Sequence, residues 1–560
     1  MLCAHYQEKL QDSLEQRQKE VRVALNRLEA GLNEGGELLS EERLAILALP
    51  PTTLLQRLRE GHLAPTHVLK AFQAKAIVTT YRVNCVTEFI PQAEVWATAL
   101  EAGPPEARNL PLFGLPVSVK DNIDVEGRDS TLGLAKKLYR PATCHSAIVH
   151  ALRSQGAVPF CKTNVPQTCN SYGCSNPVWG ETVNPSNTER TCGGSSGGEA
   201  ALVGAGGSVF GVGADLAGSV RIPAHFCGVV GLKTTTGRLS NKGITTATKG
   251  ATGILSAPGL LGRDVEIVVA GMRALLEGDL MFQADPKLVP LHWRHHLYTD
   301  DRPLRIGWYD HDGVFPVTPG CQRAVAVARE ALQAAGHQLV PFTPPEVHQA
   351  FNIMAACVTS DQGHGLLQLL KGEVVDQSIS TNAKIMAAPR FVKAVQKHIM
   401  QEKSPLMAKF LSNETAKSYQ LLRALGEQED YVGQLTEAWT TARLDLLLSP
   451  AFPMPAPPHP YPTKIMAAMI TSALYNLCNF PAGVVPVTHE TQDDQDKLDD
   501  YPTDDLMFQL VKEATRGATG LPIAAQVVGL PWQEEVVCRG MRDLQDQLKT
   551  AQAGTDPVFP

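Results

Sequence analysis

A glycine- and serine-rich segment at residues 193–223 places the strongest constraint on how this chain can fold. It reads GGSSGGEAALVGAGGSVFGVGADLAGSVRIP, and ten of its 31 residues are glycine, with apolar residues interleaved throughout. Glycine lacks a Cβ atom, so backbone amides in such a segment can approach one another or a ligand closely. Two glycine turns, one with Ser195 and Ser196 and one with Ser219, flank a predicted apolar helix. The segment therefore predicts a compact backbone site with serines on both sides.

Familiar glycine-rich motifs account poorly for this segment. The phosphate-binding pattern GxxxxGK[ST] and the dinucleotide-binding pattern GxGxxG are both absent. Residues 193–197 match GxSxG, the nucleophile elbow of α/β-hydrolases, but that elbow requires a buried strand directly before it. Residues 184–190 read NPSNTER and are polar. The pattern therefore disfavours an α/β-hydrolase elbow.

A serine nucleophile requires a general base, and the sequence offers two candidates. His225 lies close to Ser219 in sequence, and histidine is the usual base. Lys120 follows the alternating segment LPVSV at 115–119, so it stands at the end of a predicted strand, where its side chain can point into a covered site. Burial can lower the pKa of a lysine enough for the neutral amine to act as a base. The residues alone leave both candidates open.

Composition and charge exclude several classes of protein. The 57 acidic and 50 basic residues give a net charge of -7, which argues against a nucleic-acid partner held by phosphate contacts. The 12 cysteines form no CxxC pair and no zinc-ligand spacing, so we expect reduced core thiols and no metal site. No uncharged apolar run reaches 18 residues, and Glu8, Lys9 and Asp12 interrupt the region of a signal peptide. Neither a transmembrane helix nor a signal peptide is predicted.

The N-terminal residues predict helices. Residues 6–33 carry leucine and valine pairs spaced four apart, which is typical of one long charged helix, and Gly35-Gly36 would end it. A packing arm or a dimer contact fits this helix better than a coiled coil, because the heptads are too few. Residues 40–76 predict two short helices around Pro50-Pro51.

The remaining pattern indicates an α/β protein. From 113 to 265, short apolar strands alternate with helical segments and glycine turns, which is typical of parallel strand pairs. Predicted strands at 304–307 and 338–342 flank an amphipathic helix at 322–335, a βαβ-like unit. Residues 493–505 carry seven aspartates and predict a solvated acidic loop.

Three separate motifs carry a resemblance to a known family. The segment 193–223, PVSVKDN at 116–122 and NFPAGVVPV at 479–487 occur in the order found in the amidase signature family. The chain resembles that family over about residues 40–545. The resemblance implies a single large α/β/α domain at 37–545, with a mixed twisted central sheet covered by helices. We expect its catalytic core at about 113–265 and a helical cap at about 382–411, between a charged helical arm at 1–36 and a C-terminal tail at 546–560.

The resemblance also implies a Ser-Ser-Lys triad. Ser219 would be the nucleophile that becomes the acyl-enzyme, and Ser195 would pass its proton to Lys120, which begins neutral. The family holds the bridging serine in a cis peptide, here Gly194-Ser195. Ser196 is expected to be a hydrogen-bonding neighbour.

Other site residues follow from the same resemblance. Asp215 and Arg221 are expected to form a structural pair under the site. An oxyanion hole would consist of the backbone amides of Leu216, Ala217, Gly218 and Ser219. The backbone of Cys169, together with Asn170 and Ser195, would contact the substrate. The resemblance implies no metal and no cofactor.

Within the family, the chain resembles the fatty-acid amide hydrolases, through TNVPQ at 163–167 and LPWQEE at 530–535. A serine hydrolase that converts primary amides and N-acylethanolamines to fatty acid and amine or ammonia is therefore expected. Asn170 and Val314 stand where those enzymes have aromatic tunnel residues, and Ala217 stands where they have glycine. Two alternatives stay open: a hydrolase of smaller or more polar amides, and an accessory protein without turnover.

The resemblance implies partners and location as well. The partners would be a lipid amide substrate, a membrane surface and a second copy of the chain. The cap at 382–411 keeps Phe391, Val395 and Ile399 at helical spacing among basic residues, which favours peripheral membrane contact. The expected location is intracellular, at the cytoplasmic face of endomembranes, or cytoplasmic without the resemblance.

Overall fold

The strands of the protein assemble almost entirely into one sheet. The computed structural model describes residues 2–33, 37–247, 250, 252–412 and 417–551. Within these ranges the strands are β1 (Val86–Phe89), β2 (Pro116–Lys120), β3 (Val158–Thr163), β4 (Ser175–Asn176), β5 (Gly180–Glu181), β6 (Phe210–Asp215), β7 (Val230–Lys233), β8 (Ala257–Gly262), β9 (Arg305–Trp308), β10 (Gln338–Pro341), β11 (Leu446–Pro450), β12 (Ala482–His489) and β13 (Pro522–Val528).

The central sheet has 11 strands in the order β1-β3-β2-β6-β8-β7-β12-β13-β11-β9-β10, and β4 and β5 form a separate small pair. The sheet is mixed. Strand β2 runs parallel to both β3 and β6, so that Val119 lies opposite Lys162 on one side and Val212 on the other. Further along the sheet order, the neighbouring pairs β8-β7, β7-β12, β12-β13 and β13-β11 are antiparallel. Strand β9 pairs parallel with both β11 and β10.

Helices surround this sheet. They are α1 (Leu2–Leu32), α2 (Glu41–Leu47), α3 (Pro51–Arg59), α4 (Pro65–Val83), α5 (Gln92–Glu101), α6 (Ala147–Ser154), α7 (Gly197–Gly204), α8 (Arg221–Cys227), α9 (Val265–Glu277), α10 (Leu280–Ala284), α11 (His295–Thr299), α12 (Pro319–Ala334), α13 (Val347–Val358), α14 (His364–Leu370), α15 (Gln377–Ala387), α16 (Arg390–Lys403), α17 (Pro405–Ser412), α18 (Ser418–Thr441), α19 (Ile470–Leu477), α20 (Gln492–Lys497), α21 (Leu506–Thr515) and α22 (Glu534–Ala551).

Both faces of the sheet are covered by apolar packing. Side chains alternate along a strand, so neighbouring residues point to opposite faces. In β11, Leu446 and Leu448 join one apolar cluster with helices such as α4 and α22, whereas Leu447 joins a second cluster with Trp439 of α18. This arrangement confirms the predicted α/β class with a mixed central sheet between helices.

The N-terminal helix α1 packs on its own chain. Leu10, Leu14 and Leu32 are buried, and the Arg17 guanidinium lies 2.6 Å from the Asp129 carboxylate. Arg17 therefore interrupts the apolar stripe because it has a partner in the core. The predicted end of the helix at residues 35 and 36 lies outside the described residues.

The predictions of two helices in 40–76 and of an acidic loop need correction. Helices α2 and α3 flank Pro50 as expected, but the longer α4 begins at Pro65, because the first helical turn tolerates proline. Part of the acidic run forms α20. Asp494 in it is buried and accepts hydrogen bonds from Arg323 at 2.7 Å and from Thr491.

The other predicted units can be located on the structure. Strands β9 and β10 run parallel on either side of α12, which confirms the βαβ-like unit. The expected cap region at 382–411 spans parts of α15, α16 and α17. Helix α22 continues past the expected domain boundary at 545, and residues 552–560 of the expected tail lie outside the described residues. No helix in the described part of the chain is both long and apolar enough to cross a bilayer.

Candidate active site

The ends of three adjacent parallel strands create the candidate site. Strand β2 ends at Lys120, β6 ends at Asp215, and β3 ends at Thr163, shortly before Cys169 and Asn170. The carboxyl ends of parallel strands meet at one edge of a sheet, and ligand sites of α/β proteins form there. The topology therefore brings Lys120, the loop after β6 and the turn at residue 169 together.

Lys120 and Ser195 are joined by a hydrogen bond. The ammonium nitrogen of Lys120 donates to Ser195 Oγ at 2.8 Å and to the carbonyl oxygen of Ala214 at 3.3 Å. The two side chains are almost completely enclosed, with Lys120 1% and Ser195 2% exposed. Burial lowers the pKa of Lys120, because desolvation penalises the ammonium form. The neutral amine that a general base requires is therefore favoured.

The loop that carries Ser195 is tightly confined. The Gly194-Ser195 peptide bond is cis, as the resemblance implies. A Cβ atom at Gly194 would lie 2.3 Å from the carbonyl oxygen of Gly173, so no larger residue fits there. The backbone N–H of Ser196 donates to the carbonyl oxygen of Ser219 at 3.0 Å, which connects the two serine turns. The Ser196 hydroxyl, by contrast, has no partner among the described residues, so only its backbone is a hydrogen-bonding neighbour.

The loop after β6 is held by Asp215. Its carboxylate accepts hydrogen bonds from the backbone N–H groups of Gly218 at 2.7 Å and Val220 at 3.1 Å. Gly218 has a φ of 118°, and a Cβ atom there would lie 2.3 Å from Ser472 Oγ. Only glycine is compatible with both conditions. Asp215 therefore fixes the backbone conformation of the loop that carries Ser219.

Asp215 and Arg221 form a buried ion pair, as the sequence predicts. Arg221 Nε lies 3.0 Å from Asp215 Oδ2, and Arg221 also donates to Gln526 at 2.7 Å and to Asn476 at 2.5 Å. Burial raises the pKa of Asp215, but the Arg221 charge and hydrogen bonds outweigh it and hold the pKa well below its usual value. The carboxylate is thus ionised and available to the loop amides.

The four expected oxyanion donors differ in their hydrogen bonding. The N–H of Gly218 donates to Asp215, so it is engaged in this state. The N–H groups of Leu216, Ala217 and Ser219 have no acceptor among the described residues. Three of the four expected oxyanion donors in this loop are thus not engaged by an acceptor among the described residues.

A cavity of about 280 Å³ opens over these groups. Its walls include all the expected triad and substrate-binding residues: Lys120, Ser195, Ser219, Cys169 and Asn170. The loop between β7 and β8 closes the other side with residues such as Thr245, Ile254 and Leu255. Val314 does not join this cavity: it lines a separate one of about 520 Å³, with Phe315 and Phe508. Val314 therefore lies outside the cavity that contains the expected triad residues.

Comparison with known proteins decides the family. The amidase family model matches residues 67–538, which is most of the chain. The chain belongs to the amidase family. It is 38% identical over 497 residues to fatty acid amide hydrolase 1 of Caenorhabditis elegans, with 88% of this chain and 87% of the relative covered. It is also 38% identical over 504 residues to fatty-acid amide hydrolase 1 of Sus scrofa, covering 89% of this chain and 86% of that one.

A third relative and a solved structure extend the comparison. Vitamin D3 hydroxylase-associated protein of Gallus gallus is 38% identical over 406 residues, with 72% of this chain and 87% of the relative covered. A solved fatty acid amide hydrolase structure has the same fold, with a TM-score of 0.76 at 23% identity, covering 98% of this chain and 94% of that one. The protein is therefore an amide hydrolase of the amidase signature family, and the recognised resemblance is confirmed.

The second candidate base of this amidase, His225, has a structural position. Its Nδ1 accepts a hydrogen bond from the N–H of Ala524 at 3.0 Å, and its Nε2 faces the carbonyl oxygen of Met454 at 3.1 Å. Burial lowers the pKa of His225 to about 4, so the ring is neutral at physiological pH. Both ring nitrogens are occupied by backbone groups, so of the two candidate bases only Lys120 contacts a serine.

The Cys169 thiol is part of the amidase cavity but is poorly suited to act as a nucleophile. Burial raises the pKa of Cys169 to about 11, so the thiol stays protonated. The residue has a φ of 57° in a short turn that also includes Thr168, whose N–H donates to the carbonyl oxygen of Leu132 at 2.7 Å. The turn fixes the backbone of Cys169, which is the part expected to contact substrate.

Sequence reasoning missed Glu199, which lies beneath the amidase site on α7. Its carboxyl group accepts hydrogen bonds from Ser118 of β2 at 2.5 Å and from Thr163 of β3 at 2.8 Å. A Cβ atom at Gly211 of β6 would lie 1.8 Å from Glu199 Oε2, so glycine makes room for it. Burial raises the pKa of Glu199 to about 7. An acidic residue within an otherwise apolar helix was the available signal.

Proposed function

We propose that the protein is a serine hydrolase that cleaves fatty-acid amides, both primary amides and N-acylethanolamines. The products are a free fatty acid and an amine or ammonia. The observation that carries the proposal is the buried 2.8 Å hydrogen bond between Lys120 and Ser195 in the same cavity as Ser219. The relatives named fatty acid amide hydrolases, at 38% identity over most of the chain, support the substrate class.

In the proposed first half-reaction, Ser219 Oγ attacks the carbonyl carbon of the amide. Its proton passes to Ser195, and the Ser195 proton passes to neutral Lys120. Negative charge on the carbonyl oxygen is stabilised by the backbone amides of Leu216, Ala217 and Ser219. The proton then returns from Lys120 through Ser195 to the leaving nitrogen, because an amine leaves only when protonated. The carbon–nitrogen bond breaks and leaves an acyl ester on Ser219.

In the proposed second half-reaction, water attacks this ester. Lys120 and Ser195 accept a proton from the water, and the proton is returned to Ser219 Oγ as the ester bond breaks. The fatty acid is released and the triad regains its initial protonation state. We propose that the backbone of Cys169 and the side chain of Asn170 position the amide, while Leu216, Ile254 and Leu255 offer apolar contact to the chain.

The test of the substrate class is a rate series on primary amides from acetamide to oleamide, measured in detergent. We expect kcat/KM to rise steeply with chain length, because each buried CH₂ contributes up to about 0.8 kcal/mol. A flat series with clear turnover would exclude the fatty-acid assignment. Absence of turnover, together with no labelling by a fluorophosphonate, would instead favour an accessory protein.

A hydrolase of smaller or more polar amides is the second candidate. The cavity of about 280 Å³ is slightly smaller than typical ligand pockets, which span roughly 300–1,000 Å³. Asn170 also adds a polar group to its wall. Both observations favour a short or polar substrate, and the chain-length series distinguishes the two candidates.

We also propose that α16 is a peripheral membrane contact. Phe391, Val395 and Ile399 lie four residues apart on this helix and are 72%, 56% and 47% exposed. Lys397 and Lys403 lie in the same helix, where they can meet lipid phosphates. We propose in addition that the protein acts as a homodimer at the cytoplasmic face of endomembranes, which sedimentation analysis and cell fractionation would test.

A further inference from the structure

Glu199 connects the strand that carries Lys120 to the helix that follows Ser195. It lies in the first turn of α7 and is fully buried. Its carboxyl oxygens lie 2.5 Å from Ser118 Oγ of β2 and 2.8 Å from Thr163 Oγ1 of β3. Ser118 and Lys120 are two residues apart on β2, so their side chains project from the same face of the strand. The carboxyl group therefore lies on the same side of the sheet as the Lys120 side chain.

The packing around Glu199 leaves α7 little freedom to move. A Cβ atom at Gly198 would lie 2.3 Å from the backbone nitrogen of Asn164, so the start of α7 touches the chain that leaves β3. At Gly211 of β6, as noted above, a Cβ atom would overlap the carboxyl group itself. Any shift of Glu199 must therefore displace the start of α7, and with it Ser195.

The hydrogen bonds around Glu199 need one more hydrogen than the hydroxyl groups supply. Ser118 Oγ also lies 3.0 Å from Ser208 Oγ, which lies 2.9 Å from the carbonyl oxygen of Phe210. With the two contacts of the carboxyl group, four oxygen pairs lie within hydrogen-bond distance, whereas Ser118, Thr163 and Ser208 carry one hydroxyl hydrogen each. A proton on the carboxyl group supplies the fourth hydrogen. An ionised carboxylate would accept from Ser118, and the neutral acid donates to it instead.

The charge of this carboxyl group acts on Lys120. A negative charge on Glu199 would raise the pKa of Lys120, because it favours the ammonium form. Burial raises the pKa of Glu199 to about 7 against the opposing charge of Lys120, so this pKa is higher still once Lys120 is neutral. The thiols of Cys85 and Cys161 also interact with Glu199, and burial raises the pKa of the first to about 12 and that of the second well above its usual value. Both thiols are uncharged, so Lys120 is the group that responds.

We infer that Glu199 is a positioning residue for the hydrogen bond between Lys120 and Ser195, and that it acts as a neutral carboxylic acid. This inference rests on the proposed function, in which neutral Lys120 receives the Ser219 proton through Ser195. The acid holds α7 to β2 and β3 without placing a negative charge beside the amine. Glu199 is not part of the wall of the catalytic cavity, so it acts through Lys120 and Ser195 and not on the substrate.

The first experiment measures kcat and KM of E199L and E199Q on the amide that the wild type hydrolyses fastest, with active sites titrated by a fluorophosphonate. In E199L we expect kcat per titrated site to fall about tenfold or more at nearly unchanged KM, because small displacements of reacting groups are costly. Glutamine can donate to Ser118 and accept from Thr163, so E199Q should recover most of the rate. Unchanged kcat per site in E199L would overturn the inference, since a merely structural residue lowers only the number of sites.

The pH profile of E199Q tests the charge and does not require E199L to fold. If Glu199 is neutral, the rise of kcat/KM with pH should shift by less than about half a unit, whereas removal of a carboxylate would shift it to lower pH by about one unit or more. E490Q is the matched control, because burial also raises the pKa of Glu490 to about 7, but this residue interacts with Arg190 and Arg323. Its profile should match the wild type. A shift of the larger size in E199Q alone would refute the neutral acid.

Infrared difference spectroscopy provides a readout that is independent of turnover. The wild-type spectrum minus that of E199Q, at neutral pH, should contain the carbonyl stretching band of a protonated carboxylic acid. Absence of this band would also refute the neutral acid. Failure of the proposed mechanism looks different: K120A would then keep the rate and pH profile of the wild type, and the inference would fall with the mechanism. A normal loss in K120A with a shifted E199Q profile would remove the inference alone.

Discussion

Lys120 Nζ and Ser195 Oγ lie 2.8 Å apart in a space that excludes almost all solvent. Lys120 ends a strand at the centre of the parallel part of the sheet, whereas Ser195 lies just before α7. A lysine in this setting is expected to be neutral more readily than in water, since burial lowers its pKa. The pair is therefore suited to accept a proton from a nearby hydroxyl group.

The first prediction concerns pH dependence. The neutral form of Lys120 increases as the pH rises through its lowered pKa, so kcat/KM should rise with pH and level off below 10.5, the usual value for lysine. In K120A, kcat should fall about 10²- to 10⁴-fold, and the pH profile should no longer contain this ionisation. The measurement is the dependence of kcat and kcat/KM on pH between about 5 and 10, for the wild type and for K120A. An unchanged profile in K120A would exclude Lys120 as the base.

The second prediction concerns the nucleophile. S219A should abolish labelling by a fluorophosphonate and reduce turnover to background, with an unchanged circular dichroism spectrum. S196A is the matched control, because the Ser196 hydroxyl is buried next to the site and has no partner among the described residues. S196A should keep activity and label normally. Full activity of S219A would contradict the mechanism.

The third prediction concerns the loop support. D215N removes the charge that pairs with Arg221 and weakens the bonds to the loop amides. Breaking a buried ion pair from one side typically costs about 3–5 kcal/mol, so we expect a loss of this size in the free energy of unfolding. Urea unfolding is the measurement. E427Q, which breaks the exposed pair of Arg423 and Glu427, should have little effect, and equal losses in both variants would refute the prediction.

The fourth prediction concerns Gly218. In G218A the new Cβ atom would meet Ser472 Oγ at 2.3 Å, so the loop must shift and the oxyanion donors with it. We expect kcat to fall about 10²- to 10³-fold. G127A is the control. It introduces backbone strain without a clash, because Gly127 has a φ of 76° and open space around it. G127A should therefore lose some stability and keep kcat; a similar loss of kcat in both would argue against the clash.

The fifth prediction concerns membrane contact. The double variant F391D/V395D should bind anionic phospholipid vesicles at least about fivefold more weakly in a sedimentation assay, because it removes exposed apolar area from α16. V95D is the matched control, since Val95 on α5 is 67% exposed as well. Its binding should match the wild type. Equal binding by all three proteins would exclude α16 as the contact.

The candidate site could be predicted from the sequence where it depends on local backbone chemistry. The glycine turns around Ser195 and Ser219 are contiguous motifs, and Lys120 follows an alternating strand pattern, so each is visible without tertiary contacts. Apart from the family resemblance, the residues alone do not distinguish Lys120 from His225 as the base. The distinction depends on Ala524 and Met454, which are remote in sequence and whose backbone groups hydrogen-bond both ring nitrogens of His225.

Other features could be recognised only in the folded structure, because they also depend on contacts between remote parts of the chain. Asp494 looks like one aspartate among several in an exposed run, and only the arrival of Arg323 from α12 explains its burial. Asn122 looks like an ordinary turn residue after a strand. Its unpaired oxygen becomes apparent only once the loop containing Thr245 has taken the carboxamide nitrogen.

The hydrogen bonds from Arg221 to Asn476 and Gln526 have a consequence for how the enzyme folds during its synthesis. Arg221 and Gln526 are separated by 305 positions, so the support of the loop around Ser219 is complete only after residue 526 has been synthesised. We expect nascent chains that stop before residue 526 to lack a competent site. Catalytic activity would thus require synthesis through residue 526, and products that terminate before it would be inert.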